Sequence, residues 1–236
     1  MKKLIKSGAM MKELSDGRIG DWVIYKNNQL IGFNKPPALA VQQDKTEDKS
    51  LHQLAEIYCK SRLFLIHRLD RPASGAILFA KSKSALVSLN AQFQGRSLKK
   101  TYLAVVKNRP PEKEGVLIHF LLKNQKLNQT ISFEKEEAGT KKAELKYKLI
   151  GSIENYHLLE IDLTTGRHHQ IRAQLAAIGC PIKGDVKYGF KRRNKNRSIH
   201  LHAWKLAFHH PVSGEQVELV ATPPKEVVWD AFFENS

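Results

Sequence analysis

Asp70 is the residue of this chain best placed to do chemistry. It lies in His67-Arg68-Leu69-Asp70-Arg71-Pro72-Ala73-Ser74-Gly75, between two arginines and at a turn bearing Pro and Gly. The apolar run Ala76-Ile77-Leu78-Phe79-Ala80 follows at once and reads as a buried strand. Neighbouring positive charge favours the ionised form of a carboxylate, so Asp70 is expected to serve as nucleophile or general base at neutral pH. By residue type alone, an Asp that accepts backbone hydrogen bonds within a turn is the commoner case.

A second segment, Thr164-Thr165-Gly166-Arg167-His168-His169-Gln170-Ile171-Arg172, has the form of a strand end, a glycine turn and a helix start. Free backbone N–H groups and two arginines at such a place suit a phosphate or a carboxylate. Further on, Lys187, Lys191, Arg192, Arg193, Lys195 and Arg197 alternate with Tyr188 and Phe190. Cations for phosphates and rings for unpaired bases suit RNA. The ten histidines include the close pairs His168-His169, His200 with His202, and His209-His210. They lack the cysteine or HExxH context of a zinc site, so no metal and no cofactor are expected.

These groups need a scaffold, and 236 residues with 42% hydrophobic content can bury a core. Residues 1–20 lack apolar periodicity and read as a basic, loosely ordered arm, leaving no room for an added RNA-binding domain of the S4 kind. Residues 21–236 read as a single domain. Leu30 to Asn34 is a short strand, and Ser50 with Gln53 forms a capping box that opens a helix with Leu51, Leu54, Ala55 and Tyr58 on one face. Lys83 to Gln94 is a second helix, stopped at Gly95. Lys99 to Lys107 alternates as a strand and carries Tyr102. Further strands are expected at Val116 to Leu122, Ala143 to Ile150, Tyr156 to Leu163, Ile199 to Phe208 and Gln216 to Val220. Glu134 to Lys142 reads as a hairpin tip, His168 to Ile178 as a helix, and Val227 to Phe232 as a short amphipathic segment. Strands outnumber helices, which favours an antiparallel or mixed sheet.

Lys and Arg total 39 against 23 Asp and Glu, a formal charge of +16, so nucleic acid is the expected partner. The two cysteines, Cys59 and Cys180, have neither metal nor redox spacing; both are expected as small core residues in a reducing cytoplasm. No apolar run is long enough for a bilayer, and the N-terminus lacks a signal-peptide pattern, so no membrane partner is expected.

The Asp70 segment resembles the central motif of the RluA-type RNA pseudouridine synthases: His-Arg-Leu-Asp, two variable residues, Thr-Ser-Gly, and an apolar strand ending in Ala-Lys. Ala73 stands where that family generally has Thr. Asn34-Lys35-Pro36 is similar to the family's first motif. Thr165-Gly166-Arg167-His168-His169-Gln170-Ile171-Arg172, continuing to Pro181-Ile182 and Gly184-Asp185, resembles a later one, with His168 at a Thr or Ser position. Leu201-His202-Ala203 resembles a further pattern, and the likeness runs from about Asn34 to Pro224.

The resemblance implies an α+β fold with a mixed, mainly antiparallel central sheet flanked by helices and a cleft between two lobes. It implies isomerisation of a uridine in structured ribosomal or transfer RNA: the base is detached from the sugar, turned, and rejoined through C5. Asp70 would begin this by attacking C1′ or by removing a proton from C2′, and Arg172 would pair with Asp70. Tyr102 would hold the base and help remove the C5 proton, Leu201 would line its pocket, and Arg68 would fill the space the extruded base leaves. Arg167, His169, Gln170, Lys191, Arg192 and Arg193 are the other expected substrate contacts. A monomer without an obligatory protein partner is expected. Two rival classes share part of the pattern. One is an inactive RNA-binding protein on the same scaffold, opposed by Asp70, Tyr102 and Arg172 together; the other is a metal-dependent RNA hydrolase using the histidine pairs.

Overall fold

The computed structural model describes residues 19–44, 48–95 and 97–233. Most of the expected arm lies outside them; Ile19 and Gly20 instead belong to a 3-10 turn, and Ile19 and Trp22 pack on the core. Eleven described strands and four helices follow: β1 (Val23–Lys26), β2 (Leu30–Lys35), α1 (Leu51–Cys59), β3 (Phe64–Leu65), β4 (Ser74–Ala80), α2 (Lys83–Gln94), β5 (Lys99–Val106), β6 (Glu114–Asn124), β7 (Gln129–Phe133), β8 (Lys141–Ile153), β9 (Tyr156–Leu163), α3 (Gln170–Ala177), β10 (Leu201–His209), β11 (Gln216–Val220) and α4 (Val227–Phe233). The strands form one sheet in the order β1-β2-β4-β10-β5-β9-β8-β6-β7, with β3 also pairing β4 and β11 pairing β10. As expected, it is mixed and mainly antiparallel, with helices around it.

β4 explains why its sequence is continuously apolar rather than alternating. All seven of its residues are buried, because both faces of the sheet are covered there. Ile77 and Phe79 join Phe33, Leu51 and Ala55 on one face, while Ala76 and Leu78 join Leu89, Leu206 and Phe208 on the other. Truncating a buried Leu such as Leu78 to Ala costs about 2–5 kcal/mol. Helix α1, which covers the first face, starts with the expected capping box: Ser50 Oγ accepts from Gln53 N–H at 3.3 Å, and Gln53 Oε1 accepts from Ser50 N–H at 2.9 Å. Such a cap contributes about 1 kcal/mol.

Among the described strands, β4 and β10 make the one parallel pairing, with Ser74 opposite His202 and Gly75 opposite Ala203. Gly75 has φ +116°, and a Cβ there would stand 2.3 Å from the Ala203 carbonyl oxygen. Only glycine permits that approach. The parallel contact sets the Asp70 turn against the start of β10, and through it against β5.

Several expectations are corrected. β1, β3 and β7 are strands the sequence did not reveal. Helix α3 starts at Gln170 because His169 adopts the left-handed conformation, φ 49°. Cys180 is a core residue, but Cys59, the last residue of α1, is partly exposed. Tyr58 is likewise 37% exposed, with the Lys26 ammonium 5.2 Å from its ring centre. No helix among the described residues is long and apolar enough to cross a membrane.

Candidate active site

The Asp70 turn is held from beneath by a buried lysine. Lys35, at the end of β2, is fully buried and directs its ammonium at the carbonyls of Pro36, Leu39, Arg71 and Ala73. Burial pulls this lysine down to about 7, against which Asp70 acts to raise it. The turn is thus drawn onto β2 by its own backbone oxygens. On its outer side Arg71 donates from Nε to Ala38 O at 2.9 Å and pairs with Asp44 and Asp48.

Asp70 itself projects into a cleft of about 800 Å³ that also takes in Arg68, Lys100, Tyr102, Arg167, Arg172 and Leu201. Asp70 Oδ2 accepts from Arg172 Nη1 at 3.0 Å. Arg172 comes from α3, whose residues Gln170 to Leu175 are all buried, so its guanidinium is delivered from inside. Its other nitrogens bind Asp185: Nε to Oδ2 at 2.6 Å and Nη2 to Oδ1 at 2.8 Å. Asp185 and Asp70 push the guanidinium further into its charged range, outweighing the cost of burial.

Tyr102 on β5 is 8% exposed. Burial and the nearby Asp70 carboxylate push its phenol well above its ordinary value. At neutral pH the side chain is therefore a neutral phenol. Leu201, 5% exposed, flanks the same cleft at the start of β10.

The remaining expected contacts divide. Arg68 is exposed and Arg167 donates to Lys142 O at 3.2 Å, both at the cleft. Gln170 also borders the cleft, but its side chain is engaged within the protein: it is 3% exposed, its Oε1 accepts from Thr165 Oγ1 at 2.8 Å and Arg167 N–H at 3.0 Å, and its Nε2 donates to Glu144 O. It braces the turn that precedes α3. His169 is also turned inward, with its side chain 7% exposed and Nε2 lying 3.5 Å from Asp70 Oδ2. His168 stacks on it, ring centres 3.8 Å apart, with Nδ1 2.9 Å from Thr130 Oγ1.

Lys191, Arg192 and Arg193 do not line the Asp70 cleft. With Lys107, Lys183 and Lys195 they border a second cleft of about 950 Å³ that includes Ser74, Ile199 and His200. The loop is tied at its base, where Asn194 accepts from Lys183 Nζ and donates to Ser198 O, each at 3.0 Å. The nitrogens of His200 and His202 have partners of their own: His200 Nε2 meets Glu226 at 2.7 Å, and His202 Nδ1 meets Ser74 Oγ at 2.8 Å. Lys35, Asp185 and Tyr188 are site residues whose roles the sequence did not disclose. Lys35 and Asp185 stand within the family-like motifs, which is the signal that could have found them; Tyr188 has only its place in the basic run.

Residues 29–177 match the RNA pseudouridylate synthase family model, a stretch that contains Asp70, Tyr102 and Arg172. The chain is 33% identical over 227 residues to a ribosomal large subunit pseudouridine synthase C of Rickettsia felis, covering 94% of this chain and 74% of that protein. It is 30% identical over 234 residues to a tRNA pseudouridine synthase C of Vibrio vulnificus, covering 90% and 94%. In fold it is similar to the human RNA pseudouridylate synthase domain containing 4, with a TM-score of 0.72 at 24% identity over 96% of this chain and 95% of that one. Matching sequence over most of its length and sharing the fold, this chain is a member of the RNA pseudouridylate synthase family.

Proposed function

We propose that this chain converts a uridine of ribosomal or transfer RNA to pseudouridine in the Asp70 cleft, with residues 21–236 as the catalytic domain. The observation that carries the assignment of Asp70 is the asymmetry of its carboxylate. Oδ2 is held by Arg172, whereas among the described residues no hydrogen bond reaches Oδ1. A fixed carboxylate with one free oxygen is suited to attack C1′ or to take a proton from C2′. The C1′–N1 bond breaks, the base turns, and the C1′–C5 bond forms. N1 ends with a proton and C5 loses one, so atoms balance without a co-reactant.

The base must leave its stack to reach Asp70, at a cost of a few kcal/mol. Tyr102 offers a ring face worth about 1–3 kcal/mol to a base, Leu201 closes the apolar side, and the exposed Arg68 is placed to fill the vacated space. The charge of +16 supplies attraction to the phosphate backbone.

Asp70→Asn tests the reading. The variant is expected to bind RNA within a few-fold of the parent and to form no pseudouridine. Substantial pseudouridine formation by folded Asp70→Asn protein would overturn the role given to Asp70. Mapping pseudouridine in total RNA from deletion and parent cells identifies the site.

A further inference from the structure

Arg172 and His169, the two side chains that face Asp70 Oδ2, are both backed by one residue outside the matched family segment. Tyr188 lies in the 3-10 turn Val186–Tyr188, just after Asp185. Its ring centre is 4.9 Å from Arg172 Cζ, and it meets the His169 ring edge-on at 5.6 Å. Its hydroxyl oxygen accepts from Thr130 N–H at 2.7 Å and lies 2.8 Å from His169 Nδ1.

The tautomer of His169 follows from its two ends. With the Tyr188 oxygen already accepting from a backbone N–H, the phenol proton is the hydrogen available to Nδ1, so Nδ1 is the acceptor and Nε2 carries the ring proton. The other end selects the same form. Nε2 faces Oδ2 at 3.5 Å, and a nitrogen lone pair there would oppose the lone pairs of the carboxylate. Burial pulls His169 down to about 3 despite the nearby Asp70, so the ring is neutral and has a single N–H to place.

We propose that Tyr188 is a positioning residue: its hydroxyl fixes His169 as the Nε2–H tautomer and its ring fixes the Arg172 guanidinium, so both donors converge on Oδ2 and Oδ1 is left to react. His169 then acts through Asp70 and is not an RNA contact. This rests on the role proposed for Asp70, but the tautomer itself can be read without RNA.

The first measurement is 15N NMR of the histidine rings in the free protein at neutral pH. His169 is expected to show an unprotonated Nδ1 and a protonated Nε2, and Tyr188→Phe, which keeps the ring and removes the hydroxyl, to shift it toward a mixture. The second is single-turnover conversion on saturating RNA. Tyr188→Phe and His169→Leu are each expected to lower the rate on the order of tenfold, with RNA affinity little changed. His169→Gln, whose amide nitrogen can place an N–H near the Nε2 position, is expected to recover most of the loss that Leu causes. The other histidine signals report whether each variant is folded. A protonated Nδ1 in the parent protein, an unchanged rate in Tyr188→Phe, or a Gln variant no better than Leu overturns the proposal. A parent protein that makes no pseudouridine on any RNA overturns the proposed function instead, and leaves the tautomer measurement standing.

Discussion

Arg172 binds Asp185 through Nε at 2.6 Å and Nη2 at 2.8 Å, which leaves Nη1 alone for Asp70. Its direction is therefore set from the side away from the cleft, by a carboxylate 1% exposed. A guanidinium anchored this way presents Asp70 with a donor already in place.

Removing the anchor has a defined cost. Asp185→Ala leaves a buried guanidinium with two of its three side-chain hydrogen bonds gone and is expected to destabilise the protein by about 3–5 kcal/mol in urea denaturation. The double variant Asp185→Ala with Arg172→Met is expected to lose less than the sum of the two single changes, since no charge is then stranded. Additive losses would show that the pair is not coupled.

Gly75 and Gly179 both have positive φ but differ in surroundings. A Cβ on Gly75 would strike the Ala203 backbone at 2.3 Å, whereas nothing lies within 4 Å of one on Gly179. Gly179→Ala is expected to cost about 1 kcal/mol through backbone strain. Gly75→Ala must also part β4 from β10 and is expected to cost about 3 kcal/mol or more. Equal thermal shifts for the two would refute the close approach.

Acid should destabilise the fold through its buried histidines. His67 Nε2 accepts from Leu78 N–H at 3.1 Å, and burial holds His67 and His169 down to about 3 and His202 to about 4. An unfolded histidine protonates near 6.5. As pH falls from about 6.5 toward 4, the unfolded chain takes up protons that the native state refuses. Stability then falls by up to about 1.4 kcal/mol per pH unit for each histidine, and above that window these groups contribute no slope. Urea midpoints measured across the window check this, and His67→Gln is expected to reduce the slope.

The cations of the second cleft are expected to meet RNA phosphates at a distance from the chemistry. Neutralising Lys191, Arg192, Arg193 and Lys195 together should weaken RNA binding and lower the slope of log K against log salt by about 0.7–0.9 for each phosphate left without its cation. The rate on saturating RNA is expected to change far less. An unchanged salt slope would mean that the loop is only a solvated face.

Periodicity made the long elements legible: α2 occupies the expected Lys83–Gln94 and β9 the expected Tyr156–Leu163. Asp70, Tyr102, Arg172 and Leu201 could be named because the motifs around them resemble those of a known family, and the structure brings them to one cleft. What the sequence concealed was direction. Gln170 and His169 have the polar character of ligand contacts, yet at the cleft wall the polar atoms of Gln170 are taken up by Thr165, Arg167 and Glu144 and the ring of His169 lies between Tyr188 and Asp70. The bonds from Asp185 and Tyr188 to α3 likewise depend on a chain reversal that no local pattern announces. β3 and β7 are too short or too polar to show a period, and pairing with neighbours defines them.

The parallel contact between Ser74 and His202 spans 128 residues, and this orders events during synthesis. β2 and β3 can pair with β4 once Ala80 has been synthesised, but the edge of β4 at Ser74 and Gly75 stays open until β10 emerges more than a hundred residues later. Until then the segment bearing Asp70 borders an open strand edge, a template for misassociation. The completed cleft therefore requires β10 to have been synthesised. A nascent fragment ending before residue 201 is expected to be inactive and to depend on chaperones for its solubility.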